Sequence, residues 1–394
     1  MAPSTIDVTS PAGWQTIEAH LPEDFEALAK EHGVLEVQHG EAKITCGRDL
    51  LRLVLLHVGA DLGLRQTVAL SAEGGSPKVS HVTLHKKMRL CAPYLRALVA
   101  RLTGNRPAGV ERWAGYELVV VDGSSFGGPG ATTTDARLHV QLRLPDLEVL
   151  DAAMEDSSVG ETFKRFTWRE GQLALGDRGY ANPPGVLSVV GQGAEVLVRV
   201  NRSALPMRTF GGEPIDVMKW LRSLRGHGAR ERQVVVRSRD GSAETQGRLI
   251  GMRLRPAQAE KARARVRREL GSEATFLDLE AAHYVVLFTT VPSSRMSIDM
   301  CLELYRLRWQ VELAFKRWKS LCHFDRLPNY RDDTILSWLY GKLLLALVMH
   351  RMVSGASALF PPEPSQIESD SMALDAVEGR EHRLARNRRR PAAA

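Results

Sequence analysis

The chain has 394 residues, 44% of them apolar and 25% charged, which argues for two or three domains. It excludes a chain disordered throughout, a collagen-like fibre and a membrane bundle. Lys and Arg number 53 against 46 Asp and Glu, a net charge of +7; that surplus suits a polyanionic partner without identifying one.

Four cysteines, Cys46, Cys91, Cys301 and Cys322, include no C-x-x-C pair. Neither a disulfide framework nor a structural zinc site is expected, and buried free thiols in a reducing compartment are. The segment MAPSTIDVTS has no basic stretch and no apolar core, so no secretory signal is expected. The most apolar run, Leu343 to Met349, is shorter than the roughly 20 residues that span a bilayer. The expectation is a soluble cytoplasmic protein.

Residues 1–112 read as an N-terminal helical region. Asp49 to Val58 is a nearly unbroken apolar helix, a second helix starts near Leu64, and Gly74, Gly75, Ser76 and Pro77 end it. A third begins at Ser80 and carries Lys86, Lys87 and Arg89, ahead of the apolar run Tyr94 to Leu102. Short helices with a basic third member suit a helix-turn-helix DNA contact, or equally a small bundle with a solvated face.

From residue 113 to 201 the period changes. Strands are expected at Glu117 to Val121, Leu138 to Leu144, Leu147 to Leu150, Gln172 to Gly176 and Glu195 to Val200. Helices are expected at Val159 to Phe166 and after Pro183-Pro184. The order predicts an α/β domain with a mixed sheet. Residues 202–292 read as a separate β-rich insertion with strands at Gln233 to Val236 and Tyr284 to Val291. Between these strands, residues 251–270 hold seven Lys or Arg against two acids, either a solvated helix face or a phosphate-binding surface. A long helix is expected from Ser297 to about Leu321 and another from about Asp333 to Leu359, both within 293–360. Residues 361–394, acidic and then basic, have the composition of a disordered tail.

Two acids directly follow apolar strands, Asp122 and Asp177; a strand end is rigid and faces the sheet edge where ligands bind. On the long helix, Tyr305, Arg308, Glu312, Lys316 and Lys319 fall within about 80° of arc. Leu304, Leu307, Val311 and Trp318 form the core stripe. An i,i+4 ion-pair array along Arg308, Glu312 and Lys316 is the plain reading of that strip. With the two aspartates it admits another. Phosphoryl transfer on DNA uses two divalent ions about 3.5–4 Å apart, and hard Mg²⁺ takes carboxylate oxygens.

Tyr305-x-x-Arg308-x-x-x-Glu312-x-x-x-x-x-x-Lys319 resembles the Y-(2)-R-(3)-E-(6)-K signature of the IS-four family of insertion-sequence transposases, the family of the Tn-five transposase. Asp122-Gly-Ser-Ser and Asp177-Arg-Gly-Tyr resemble its two catalytic Asp motifs. The resemblance implies an RNase H-like fold with a β-rich insertion before the Glu-bearing helix. It also implies a DDE triad of Asp122, Asp177 and Glu312 holding two Mg²⁺ ions, with Mn²⁺ as a substitute. Tyr305, Arg308 and Lys319, with Lys316, would hold the backbone of double-stranded DNA. Tyr284 lies near the place where relatives stack an aromatic on a flipped base, and core packing is its other reading. The implied activity is cut-and-paste transposition: terminal repeat binding, end cleavage through a hairpin intermediate, and strand transfer to target DNA by a homodimer. A catalytically inactive, transposase-derived DNA-binding protein is the alternative. His81, His85, His323 and His350 show no metal-ligand spacing, and Ser124 and Ser125 have no nucleophile elbow around them.

Overall fold

The computed structural model describes residues 11–36, 42–103, 113–126, 136–156, 159–200, 203–322 and 332–357. The expectations for His323, for the glycine-rich segment after Phe126 and for the tail lie outside them.

The N-terminal part is helical: α1 (Pro11–Glu18), α2 (Phe25–Glu31), α3 (Gly47–Gly59), α4 (Leu64–Glu73), α5 (His81–Leu90) and α6 (Ala92–Thr103). Ser80 caps α5 by accepting from the Thr83 N–H, as a hydroxyl at that position should. Leu50, Leu51, Leu53, Val54 and Val58 bury α3 on most of its circumference, so it is an interior helix.

Strands follow as β1 (Glu117–Phe126), β2 (Ala136–Arg143), β3 (Val149–Asp156), β4 (Gln172–Gly176), helix α7 (Pro183–Val190) and β5 (Glu195–Arg199). β1 runs past the acid expected to end it, because β2 pairs with it antiparallel as far as Phe126. The helix expected over Val159 to Phe166 is only a short 3-10 turn, Phe163–Arg165. Thr162 is extended there, and its hydroxyl accepts from the Lys164 N–H, opening a tight turn rather than an α-helix.

Next come β6 (Met207–Arg208), α8 (Val217–Ser223), β7 (Arg230–Arg237), β8 (Glu244–Arg253), α9 (Pro256–Leu270), α10 (Phe276–Ala281) and β9 (Tyr284–Thr289). All nine strands form one sheet in the order β3-β2-β1-β4-β5-β9-β8-β7-β6. β1, β4 and β5 are parallel neighbours, and β9 turns antiparallel against β5. The strands of residues 203–292 therefore extend the same sheet instead of building one of their own.

The chain closes with α11 (Ile298–Leu307), α12 (Gln310–Cys322) and α13 (Asp332–Ser357). The single long helix expected from Ser297 is thus two. At the junction the N–H groups of Arg308, Trp309, Val311 and Glu312 bond three residues back, to Tyr305, Arg306, Arg308 and Trp309. This 3-10 step is tighter than the α-helix on either side.

Alternation along the strands splits the interior in two. Leu118, Val120, Leu173 and Leu175 share a core with α3, α6, α12 and α13. Val119, Val121, Ala174 and Val196 share another with α7, α8 and Phe163. The first core runs without a break from Trp14 to Val348, so the N-terminal helices pack directly on α13. Thr334 to Val353 is apolar and long enough to cross a membrane, longer than the run read from the sequence, and much of it is covered by these helices.

Candidate active site

Val120 on β1 and Leu175 on β4 are register partners in a parallel pair. Two residues on, the two chains present Asp122 and Asp177 side by side. Alternation puts Asp122 on the face of Leu118 and Val120, the face α12 packs against. Each carboxylate is held by the backbone of its own turn: the Gly123 N–H donates to Asp122 Oδ1 at 2.8 Å, and the Gly179 N–H to Asp177 Oδ1 at 2.7 Å.

Burial raises the Asp122 carboxyl well above the usual carboxylate range, and the neighbouring Asp177 adds to that; Arg308 opposes it. Arg308 is largely buried and its Nη2 donates to Glu312 Oε1 at 2.8 Å. It also lies 5.9 Å from the Tyr305 ring centre. One guanidinium therefore stands in the field of the sheet acid while gripping the helix acid. The 3-10 step between α11 and α12 places it there, with Arg308 at the C-cap of α11 and Glu312 in the first turn of α12.

A second buried arginine fixes where that helix pair begins. Arg248 on β8 donates from Nε to the Val291 carbonyl at 2.8 Å, from Nη2 to the Met296 carbonyl at 2.8 Å and from Nη1 to Glu231 Oε2 at 2.6 Å. It ties the last strands of the sheet to the chain entering α11.

The acids are hard oxygen donors, the set a divalent cation of the Mg²⁺ type takes. Among the described residues no three His, Cys, Asp or Glu side chains converge closely enough to grip an ion as they stand. Glu312 is turned to Arg308, which supplies the local positive charge. The donor chemistry fits a divalent centre of Asp122, Asp177 and Glu312.

The chain matches the family described as Transposase DDE domain over residues 113–349. It belongs to the DDE transposases. It is 30% identical over 365 residues to the transposase for insertion sequence element IS421 of Escherichia coli, covering 90% of this chain and 97% of that one. Over 364 residues it is 30% identical, with the same coverage, to the InsL protein of insertion sequence element IS186A of Escherichia coli K12. A shorter stretch of 100 residues is 34% identical to the transposase for IS231F of Bacillus thuringiensis subsp. israelensis, covering 25% of this chain and 21% of that one.

The transposase places the other sequence-predicted residues unevenly. Tyr305 and Lys316 are half-buried on α11 and α12; the side chain of Lys319, also on α12, lies outside the description. Lys86 and Arg89 are exposed on α5. Lys87 is not: its Nζ is buried and donates to the carbonyls of Val34 at 2.6 Å and Glu36 at 2.9 Å, fastening the segment after α2. Tyr284 is buried in the second core at the start of β9, so core packing is the reading its surroundings favour. The basic helix α9 spends part of its charge internally, with Arg265–Glu269 at 2.7 Å and Arg263 and Arg267 both at 3.3 Å from Glu260.

One residue at the site was missed by sequence reasoning. Glu161 lies in the irregular stretch between β3 and the 3-10 turn. Its Oε1 comes 3.3 Å from where a Cβ on Gly123 would sit, and its Oε2 fills the space of a Cβ on Gly179. No motif or period pointed to it.

Proposed function

We propose that this transposase moves an insertion sequence by cut-and-paste DNA transposition, with Asp122, Asp177 and Glu312 as the catalytic, metal-holding triad. The observation that carries the reading is the adjacency of Asp122 and Asp177 on parallel strands, with Arg308 linking that pair to Glu312. The strand order β3-β2-β1-β4-β5, with three antiparallel and then two parallel strands, is that of an RNase H-like catalytic domain. In this reading residues 113–201 and 293–360 form that domain, 202–292 its β-rich insertion, and 1–112 the helical region that binds terminal inverted repeats.

Two Mg²⁺ ions, or Mn²⁺ in their place, would activate a water or a 3′-hydroxyl and stabilise the leaving oxygen. The chain's own part is positional. The backbone N–H groups of Gly123 and Gly179 hold one oxygen of each Asp, leaving the other for ligation. Arg308 keeps Glu312 beside them. Tyr305, Lys316 and Lys319, with Arg308, would grip the phosphates flanking the scissile one, and the exposed Lys86 and Arg89 would contact the repeat. A homodimer would pair two ends, cleave them through hairpins and join the freed 3′-hydroxyls to target DNA, in the bacterial cytoplasm at the nucleoid.

The test is incubation of the purified protein with a duplex carrying the element's terminal repeat, in Mg²⁺ and in EDTA, beside Glu312→Ala. Mg²⁺-dependent cuts at the repeat boundary, lost in the variant, are expected. A gel shift with no cut would leave a DNA-binding derivative without turnover.

A further inference from the structure

The residues around Glu161 leave room for a carboxylate that the triad does not include. Two glycines make its berth. Gly123 follows Asp122, and a Cβ there would lie 3.3 Å from Glu161 Oε1 and 3.4 Å from Arg137 Cδ. Gly179 lies two residues after Asp177; a Cβ there would collide with Glu161 Oε2 and stand 3.1 Å from Asp177 Oδ1. Glu161 thus reaches across both catalytic turns, and its second oxygen shares one small space with a triad oxygen.

A second observation is independent of the acids. Tyr180 is fully buried, and its hydroxyl has no hydrogen-bond partner among the described residues. Buried hydroxyls rarely go unpaired, and such a group usually marks a ligand or ordered water. The charges that act on this one are Glu161, Asp122 and Asp177, in that order of strength. Carboxylates brought together in a water-poor pocket, beside a hydroxyl with nothing to bond, cost free energy unless a cation joins them. Arg308 offsets the charge at Asp122 and Glu312. Arg165, the nearest arginine on the same segment as Glu161, is paired with Glu155 instead.

We infer that Glu161 is a fourth carboxylate of this centre, ligating a divalent cation together with Asp122 and Asp177. This rests on the metal-holding reading of the triad. In it, Asp122 and Asp177 supply the strand-borne oxygens and Glu161 closes the side of the site away from α12. Tyr180 then has its partner in the ligand shell, as a donor to a bound carboxylate or water. The two glycines follow from the same requirement: any side chain at either position would push Glu161 out.

The experiment uses the full chain without DNA and does not depend on turnover. Mn²⁺ binding is read from the loss of the free-ion EPR signal for wild type, Glu161→Gln and Asp122→Asn, and melting temperature is read in EDTA. Glu161→Gln is expected to weaken Mn²⁺ binding by at least about tenfold, the scale seen when a metal site loses a supporting group. It is also expected to melt at or above the wild-type temperature in EDTA, because one of the crowded charges is gone. Wild-type Mn²⁺ affinity in Glu161→Gln, with binding lost in Asp122→Asn, would overturn the assignment of Glu161 and leave the triad standing. A melting temperature for Glu161→Gln clearly below wild type in EDTA would make Glu161 a structural partner and overturn it too. No Mn²⁺ binding by wild type would remove the triad reading, and this inference with it.

Discussion

Arg308 Nη2 and Glu312 Oε1 are 2.8 Å apart across the step between α11 and α12, with only 9% and 16% of the two side chains exposed. The pair joins a phosphate-gripping candidate to a metal-holding one, so the two roles are not independent. Arg308 also faces Asp122, whereas Glu312 has Arg308 as its buried cation. Removing the arginine leaves two acids uncompensated; removing the glutamate leaves the arginine one acid to face. Arg308→Met should therefore cost more stability than Glu312→Gln. Breaking a buried pair from one side costs about 3–5 kcal/mol, and the lower end is expected here because both groups keep some water. Urea unfolding in EDTA measures the difference. Equal losses in the two variants would show that Asp122 does not depend on Arg308.

Gly176 closes β4 immediately before Asp177. A Cβ there would lie 2.6 Å from Phe163 Cζ and 2.9 Å from Tyr180 Cβ, and both rings are fully buried. Overpacking a tight interior by one methyl costs about 1–3 kcal/mol, so Gly176→Ala should lose roughly 2 kcal/mol. The displaced rings flank the catalytic turn, so cleavage should fall as well. Phe163→Leu opens space at that point, and the double variant should be less unstable than the sum of the two. Strict additivity in a double-mutant cycle would mean that Phe163 is not the obstacle.

How much of this was legible beforehand differs by residue, for physical reasons. Asp122 and Asp177 announced themselves because β1 and β4 are central parallel strands, buried on both faces, and so read as continuous apolar runs ending in an acid. The α11–α12 pair was read as one helix because a 3-10 step leaves the helical spacing of apolar residues nearly intact; Leu304, Val311 and Trp318 are all buried, as the stripe required. β8 was missed: only Leu249 and Ile250 interrupt its polar and glycine residues, and Arg248, which fixes it, looks in sequence like another surface charge. Glu161 carried no signal because its place is set by two glycines distant in sequence. The basic face of α5 was legible as composition, but not which lysine would turn inward; Lys87 does so because two carbonyls after α2 need a donor.

Lys342 also looks misplaced in an apolar helix. It is completely buried, and its Nζ donates to Asp61 Oδ1 at 2.6 Å, with the Trp338 ring centre 5.0 Å away. The pair pins α13 to the turn after α3. Asp61 has φ +50°, a left-handed conformation that Asn tolerates and branched residues do not, so Asp61→Asn tests the charge without straining the turn. It should cost about 3 kcal/mol by stranding a buried ammonium. Lys342→Met in the Asp61→Asn background should recover most of that, since the double variant buries no charge. If the double variant is as unstable as the single one, the contribution of the pair is geometric and not electrostatic.

The acid limb of stability should come from two histidines far from the catalytic turns. His57 is fully buried, within 3.2 Å of Thr67 Oγ1 and edge-on to Trp338. Burial pulls its pKa down to about 4, with Lys342 lowering it further and Asp61 opposing. His139, fully buried on β2, is pulled down to about 3 by burial and by Arg165 and Arg137, and neither ring nitrogen has a partner among the described residues. Both rings are neutral in the folded protein at pH values where the unfolded chain, with histidine pKa near about 6.5, already binds protons. The stability these rings contribute is therefore complete above about pH 6.5. It is lost as pH falls toward their folded values, at up to about 1.4 kcal/mol per pH unit for each ring. Urea midpoints measured between about pH 7 and about pH 4.5 should fall with a slope of about two protons, after allowance for the carboxylates that titrate at the lower end. His139→Leu keeps an apolar group in the pocket and should reduce that slope by about one proton. An unchanged acid slope in His139→Leu would mean that this ring is already protonated in the folded state, with Arg165 and Arg137 turned away from it.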